Sequence, residues 1–147
     1  MKAIDSFRGP FRFLSNFYVC ADGFCLEHVF QSLKADNEAE RAWVIASPDA
    51  TIAKHRGYKV RMRPDWEERK VDVMRRLLRL KFKRPELAEA LLATGDAELI
   101  EGNSRGDVFW GRCEGVGKNW LGVLLMDLRH ELQVKKNQSN SGEVTNG

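Results

Sequence analysis

Apolar positions along this chain recur mostly at helical spacing. Leu26, Val29, Phe30 and Leu33 share one face of a helix expected over residues 27–35. A second helix is expected over 38–46, with Ala39, Ala42, Trp43 and Ala46 facing in. Ser47-Pro48-Asp49 reads as an N-cap, a proline at the first helical position and an acid in the first turn, starting a helix that ends at Gly57. Pro64 opens the longest helix, to residue 82. It carries two stripes, Trp66, Val73, Leu77 and Leu80, and Val71, Leu78 and Phe82, a width that suits a central helix. Pro85 starts another, closed by Thr94-Gly95-Asp96. Leu121, Leu124, Leu125, Leu128 and Leu132 predict a final helix behind Asn119, a good N-cap residue.

Extended segments are short. Residues 1–7 read as an edge strand, and Asp22-Gly23 as a hairpin-type turn before a strand at 24–26. Residues 58–60 read as a strand or extended link, 97–101 and 107–110 as strands, and 102–106 as a loop. Phe11, Phe13, Leu14, Phe17 and Tyr18 crowd round Ser15-Asn16 and read as core. Beyond Gln133 the chain turns polar, so a domain over 1–133 and an unstructured tail over 134–147 are expected.

Composition narrows this picture only a little. A chain of 147 residues is enough for one domain with a real core. A net charge of +3 is too mild to point at nucleic acid by itself. No apolar run approaches transmembrane length, and the first residues lack the apolar centre of a signal peptide, so a cytoplasmic protein is expected. Cys20, Cys25 and Cys113 lack C-x-x-C spacing and fit reduced thiols; with His28 they offer no fourth metal ligand. Neither a metal nor a cofactor is expected.

The candidate chemistry lies in four segments. Ser15 and Asn16 are small polar groups among apolar residues, and need partners from backbone or ligand. Glu27, Gln31 and Lys34 fall beside the apolar face of one helix, Glu27 and Lys34 about 10 Å apart along its axis. That is too far for a simple ion pair and room enough for a sugar; the plain alternative is a solvated edge with a snorkelling lysine. Trp66 stands near Lys70, a lysine inside an apolar stripe that must snorkel or meet an anion. Asp107 and Trp110 precede Gly111, Gly115 and Gly117 at the start of the last helix. That loop is either a tight turn capping a core helix or a phosphate cradle. Between Arg75 and Arg84 there are basic residues and no acid, which suits a solvated face or a phosphate backbone. An acid pair, an amine, stacking rings and an anion cradle together fit a nucleotide-like ligand. Carboxylates suit an oxocarbenium-like transition state, and a desolvated lysine suits attack on an aldehyde carbon.

The chain resembles the NADAR (YbiA-like) family through Phe13-Leu-Ser-Asn-Phe-Tyr18, Glu27-His-Val-Phe-Gln31 with Lys34-Ala35, Asp65-Trp66, and Thr94-Gly-Asp with Glu101. Asp107-x-x-Trp-Gly111 and Gly117-x-Asn-x-Leu-Gly-x-x-Leu-Met126 with Arg129 extend the likeness from Phe7 to Leu132. The resemblance implies a compact single-domain α+β fold, mainly helical with a small sheet. It implies an N-glycosidase, acting on ADP-ribosylated guanine in DNA or RNA, or on phosphorylated riboflavin-pathway intermediates or another small ribosyl nucleotide. A non-catalytic ADP-ribose or NAD-binding module would share the same pocket, and a purely basic nucleic-acid binder is the third reading. By resemblance, Lys34 forms a Schiff base with the opened ribose, Glu27 and Asp107 are the active-site acids, and Trp66 and Trp110 wall the ligand. Ser15 and Asn16 belong to its binding loop, with Glu101, Gly111 and Asn119 as further binding positions. Val19-Cys20 and the loop Arg112-Cys-Glu-Gly-Val-Gly117 depart from the family pattern.

Overall fold

Residues 2–145 are described by a computed structural model, their side chains as far as Ser141. The described chain is mainly helical with one small sheet, as the family resemblance implies. It divides into two compact units, Ser15–Lys81 and a second built from the residues up to Leu14 and those from Phe82 onward.

The first unit holds α1 (Leu26–Leu33), α2 (Glu38–Ile45), α3 (Ala50–Gly57) and α4 (Trp66–Lys81). α1 packs against the other three. Leu26, Phe30, Val44, Ala53, Trp66, Met74 and Leu78 form the core, because the apolar stripes of these short helices have nowhere else to be buried. Gly23 takes the positive φ that its turn requires (+90°), and the strand expected after it shrinks to one bridge between Val19 and Cys25.

Four expectations are corrected here. α2 buries Val44, while Ala39, Ala42, Trp43 and Ala46 face solvent. Its orientation is set by polar anchors instead: Asn37 Oδ1 accepts from Glu40 N, Glu40 accepts from Arg61 N, and Arg41 Nε donates to the Ala35 carbonyl. Trp43 is covered by a cation, the Arg56 guanidinium 4.9 Å from its ring centroid. The cap of α3 is Asp49, which accepts from Ile52 N at 2.8 Å; Ser47 is spent closing α2, donating to the Val44 carbonyl. Residues 58–60 form a turn rather than a strand. α4 starts two residues later than expected, and buries Met74 and Lys81 where Val73 and Leu80 were expected.

Lys81 is the largest departure. It is 0% exposed, its Nζ donates to the Ser15 carbonyl at 2.9 Å, and it lies 5.6 Å from the Tyr18 ring centroid. The basic run is therefore not a uniform face: Arg75 and Arg76 pair with Asp72, and Lys81 goes inside.

In the second unit a 3-10 helix (Gly9–Leu14) follows the bridge of Ile4 to Leu99, the remnant of the expected edge strand; Met1 lies outside the described residues. α5 (Pro85–Ala93) begins on its proline as expected. β1 (Gly102–Asn103) and β2 (Arg112–Cys113) pair in parallel, Gly102 against Arg112 and Asn103 against Cys113. Both strands lie C-terminal to the expected ones. Residues 107–110 cannot extend because Asp107 Oδ1 accepts from both Phe109 N and Trp110 N, curling the chain.

α6 (Trp120–Thr145) buries Leu121, Leu124, Leu125 and Leu128. Arg129 donates to Thr94 Oγ1 at 2.9 Å, which gives the Thr94 and Arg129 motif positions a structural task. The helix also takes in residues 134–145, where an unstructured tail was expected; 146–147 lie outside the described residues. No proline interrupts this stretch, and extending an established helix costs far less than starting one. No helix among the described residues is long and apolar enough to cross a membrane.

Candidate active site

α1 brings Glu27, Gln31 and Lys34 into one row. Its first N–H groups need partners, and Glu27 N donates to the Asn16 carbonyl at 3.0 Å. Glu27 (6% exposed) and Gln31 (5% exposed) are buried, with Gln31 Nε2 donating to Glu27 Oε1 at 2.7 Å. Lys34 caps the C-terminal end, half-buried, and its carbonyl accepts from Arg63 N. Burial holds the Lys34 ammonium below the ordinary lysine value. The Glu27 carboxylate opposes that shift, Lys54 and Lys70 add to it, and Glu67 opposes it.

Rings and cations surround this amine. The Tyr58 ring, 69% exposed, has its centroid 5.3 Å from Lys34 Nζ. Lys54 Nζ lies 6.0 Å from the exposed Phe17 ring. Trp66 is buried against Phe30, centroids 5.1 Å apart, so it braces α1 from the core side. Lys70 meets an anion, Glu67 Oε2 at 2.6 Å. Ser15 Oγ finds a backbone partner, accepting from Phe17 N. The Asn16 side chain does not: its Nδ2 donates to Met74 Sδ at 3.6 Å and its Oδ1 is buried with no hydrogen-bond partner among the described residues, while its main-chain carbonyl takes the Cys25 thiol and Glu27 N. Burial pushes the Cys25 thiol above its ordinary value.

The other expected site residues belong to the second unit. Glu101 Oε1 accepts from Arg105 Nη2 at 2.8 Å, and Oε2 from Asn103 Nδ2 at 3.0 Å. Asp107 N donates to Asn103 Oδ1 at 3.0 Å, so Asn103 ties the two acidic segments together. Arg105 reaches Asp107 Oδ2 at 3.5 Å. Trp110 stands edge-on to Phe109, centroids 4.8 Å apart. Gly111 is buried, and a side chain there would collide with both the carbonyl and the carboxylate of Glu101.

Two features of this segment differ from expectation. Asn119 (φ +55°, 1% exposed) does not cap the helix with its side chain. Its Oδ1 accepts from Glu101 N and its Nδ2 donates to the Leu99 carbonyl, strapping the 99–101 segment in place. Nor does the glycine loop offer a row of free N–H groups. Those of Lys118, Asn119, Trp120 and Leu121 donate to the carbonyls of Val108, Gly111, Phe109 and Trp110. The loop is a folded scaffold, and its hydrogen bonding leaves no phosphate cradle at these positions.

Sequence reasoning missed Tyr58, Lys81, Asn103 and Arg105. Tyr58 and Lys81 depend on partners across the fold. The other two had a local signal, an amide and a guanidinium spaced between two acids in residues 101–107.

The chain is similar to several known proteins. The NADAR domain model matches residues 8–133. N-glycosidase YbiA of Escherichia coli K12 is 40% identical over 114 residues, covering 75% of this chain and 71% of that protein. A riboflavin biosynthesis protein of Vibrio vulnificus is 43% identical over 131 residues; the match covers 82% of this chain but only 35% of that longer protein. The NMR structure of E. coli YbiA superposes with a TM-score of 0.79 at 35% identity, covering 92% of this chain and 89% of that one. With a family model spanning nearly the whole described chain and a solved relative of the same fold, this chain belongs to the NADAR domain family.

Proposed function

We propose that this chain is an N-glycosidase that hydrolyses the C1–N bond of an ADP-ribosyl or ribosyl-phosphate nucleotide, with ADP-ribosylated guanine in nucleic acid as its substrate. The observation that carries the reading is on α1: an amine of lowered proton affinity and a buried carboxylate on one helix. A neutral Lys34 attacks C1 of the ribose. The C1–N bond breaks and the base leaves with the proton that the amine sheds; the ring C1–O4′ bond then opens, a carboxylic acid gives O4′ its proton, and an iminium joins Lys34 to C1 of the opened sugar. Water hydrolyses the iminium, releasing the ribose aldehyde and restoring the amine. Glu27, on the same helix as Lys34, is the group for proton transfer and ribose hydroxyl binding. The exposed Tyr58 ring beside Lys34 offers a flat face to a base.

Phosphorylated riboflavin intermediates are the second reading, favoured by the name of the Vibrio relative. The test is release of ADP-ribose, with unmodified guanine restored, from a short DNA carrying ADP-ribosylated guanine, by the native protein and Lys34→Ala, with borohydride added during turnover. Release by the native protein alone, and a reduced ribose adduct on Lys34, are expected. Release without any adduct would replace the Schiff base with direct attack by water. Binding without release would make the chain a reader of ADP-ribose. Turnover of the riboflavin intermediates alone would move the substrate to that class.

A further inference from the structure

Gly57 closes α3 without the positive φ that explains most glycines, and an alanine there would favour the helix. The space its Cβ would take is already filled by the Gln31 amide, with Cδ 2.8 Å from that point and Oε1 closer still. Gln31 is 5% exposed, and its Oε1 is buried without a hydrogen-bond partner among the described residues. A buried amide oxygen with no partner is uncommon and costs stability. Two departures from good folding therefore meet at one amide, and both leave room around it. The same amide donates from Nε2 to the buried carboxylate of Glu27 at 2.7 Å.

We propose that Gln31 is a positioning residue that follows the proton of Glu27. Its amide donates from Nε2 while Glu27 is a carboxylate, and turns over to accept at Oε1 when Glu27 is a carboxylic acid. An ionised carboxylate only accepts hydrogen bonds, whereas the acid has one O–H to give. An amide serves both states by a half-turn about its terminal torsion, which is broad and roughly two-fold. On the Gly57 side the turn forfeits no hydrogen bond, because Oε1 makes none there. With no Cβ on residue 57, either end of the amide fits. The proton count is simple: Glu27 gains or loses one proton, and Gln31 neither. The proton comes from or goes to the leaving base or the hydrolytic water, so this task of Glu27 rests on the glycosidase reading.

Other titratable groups share the surroundings of this carboxyl. Cys25 and Lys34 flank it at the ends of α1; Lys81 of α4 acts on Cys25, and Lys54 of α3 with Lys70 and Glu67 of α4 acts on Lys34. His28 on α1 is bonded to the Ser47 carbonyl, and on α2 Glu40 and Arg41 are bonded to Arg61 N and the Ala35 carbonyl. Gly57→Ala adds no charge to this set, which makes it the sharpest test.

The experiment titrates Glu27 by carbon-13 NMR of carboxyl-labelled glutamate in the full chain, with the resonance assigned through Glu27→Gln. Native protein, Gly57→Ala and Gln31→Met are compared, together with pH profiles of ADP-ribose release. Gly57→Ala is expected to melt below the native temperature, because its Cβ collides with the buried Gln31 amide, so the Glu27 midpoint rather than the melting temperature decides the proposal. Its Glu27 midpoint is expected to move by about half a pH unit or more. Its kcat should fall about tenfold, with KM within about threefold of native, and the moving limb of the pH profile should track the NMR midpoint. A merely structural role for Gln31 leaves the Glu27 midpoint in place; equal midpoints in all three proteins would overturn the proposal. If Gly57→Ala does not fold, Gln31→Met carries the same comparison with the backbone of α3 untouched. A native protein that releases no base from any substrate would sink the glycosidase reading, while the NMR midpoints would still decide the coupling.

Discussion

Burial lowers the proton affinity of Lys34, and the consequence for stability has a definite sign. Between its folded value and the ordinary value of 10.5, the unfolded chain holds a proton that the folded chain does not. Stability therefore rises with pH through that window, and at neutral pH the buried ammonium is a burden on the fold. Lys34→Met should accordingly raise the melting temperature at pH 7 while abolishing base release, and the gain should vanish as pH approaches 10.5. Calorimetry of both proteins across pH checks this; an equal or lower melting temperature for the variant at pH 7 would contradict it. Catalysis has the same sign, since attack requires the neutral amine, and kcat/KM should climb on the alkaline side as Lys34 loses its proton. Glu27→Gln should cost about 10²–10⁴-fold in kcat if Glu27 moves a proton. Helical geometry sets these two residues on one edge of α1, but geometry alone favours a plain solvated edge there, and their roles come from the family resemblance. Lys81 was not legible in sequence, because its partner, the Ser15 carbonyl, lies 66 residues away and no local pattern marks it. Lys81→Ala should lose about 2–5 kcal/mol, from the cavity and the lost bond together. Lys81→Met, which keeps most of the volume, should lose clearly less in urea unfolding.

At the level of elements, long helices were legible and short extended pieces were not. α1, α4, α5 and the first half of α6 follow from stripes of large apolar residues with proline or glycine at their ends. α2 was turned to the wrong face because its apolar residues are mostly small, and the bonds of Asn37, Glu40 and Arg41 outweighed them. The strands near 97–110 slipped because side-chain bonds from Asp107 and Asn119 decide where that chain bends. The glycine loop behaves as a scaffold, and it makes a prediction that a phosphate cradle would not. Gly111→Ala should destabilise the protein by about 1–3 kcal/mol, by pushing on Glu101. Adding phosphate or ADP-ribose should restore little of that loss; a large ligand rescue in a thermal shift assay would count against the scaffold account.

Over the whole molecule, the mainly helical class with a small sheet could be read from the chain through its motifs, and the family match ends at residue 133. Beyond that point α6 continues through exposed residues as far as Ser141. Deleting residues 135–147 should therefore shift stability by no more than about 0.5 kcal/mol, as surface changes usually do. A larger loss in urea unfolding would show that this segment supports the fold. The division of the chain into two units was not visible in sequence, because the second unit is assembled from both ends of the chain. The first unit is one unbroken stretch, and the Lys81–Ser15 bond joins its last residue to its first. In topological terms, Ser15–Lys81 is a guest inserted into a host, with its entry and exit one hydrogen bond apart. Segments whose ends nearly touch are the ones that tolerate transplantation and circular permutation. A polypeptide of residues 15–81, or one with those ends joined and new termini opened in the 58–60 turn, is thus the natural module to move into another scaffold, and it would take the α1 carboxylate, amide and amine with it.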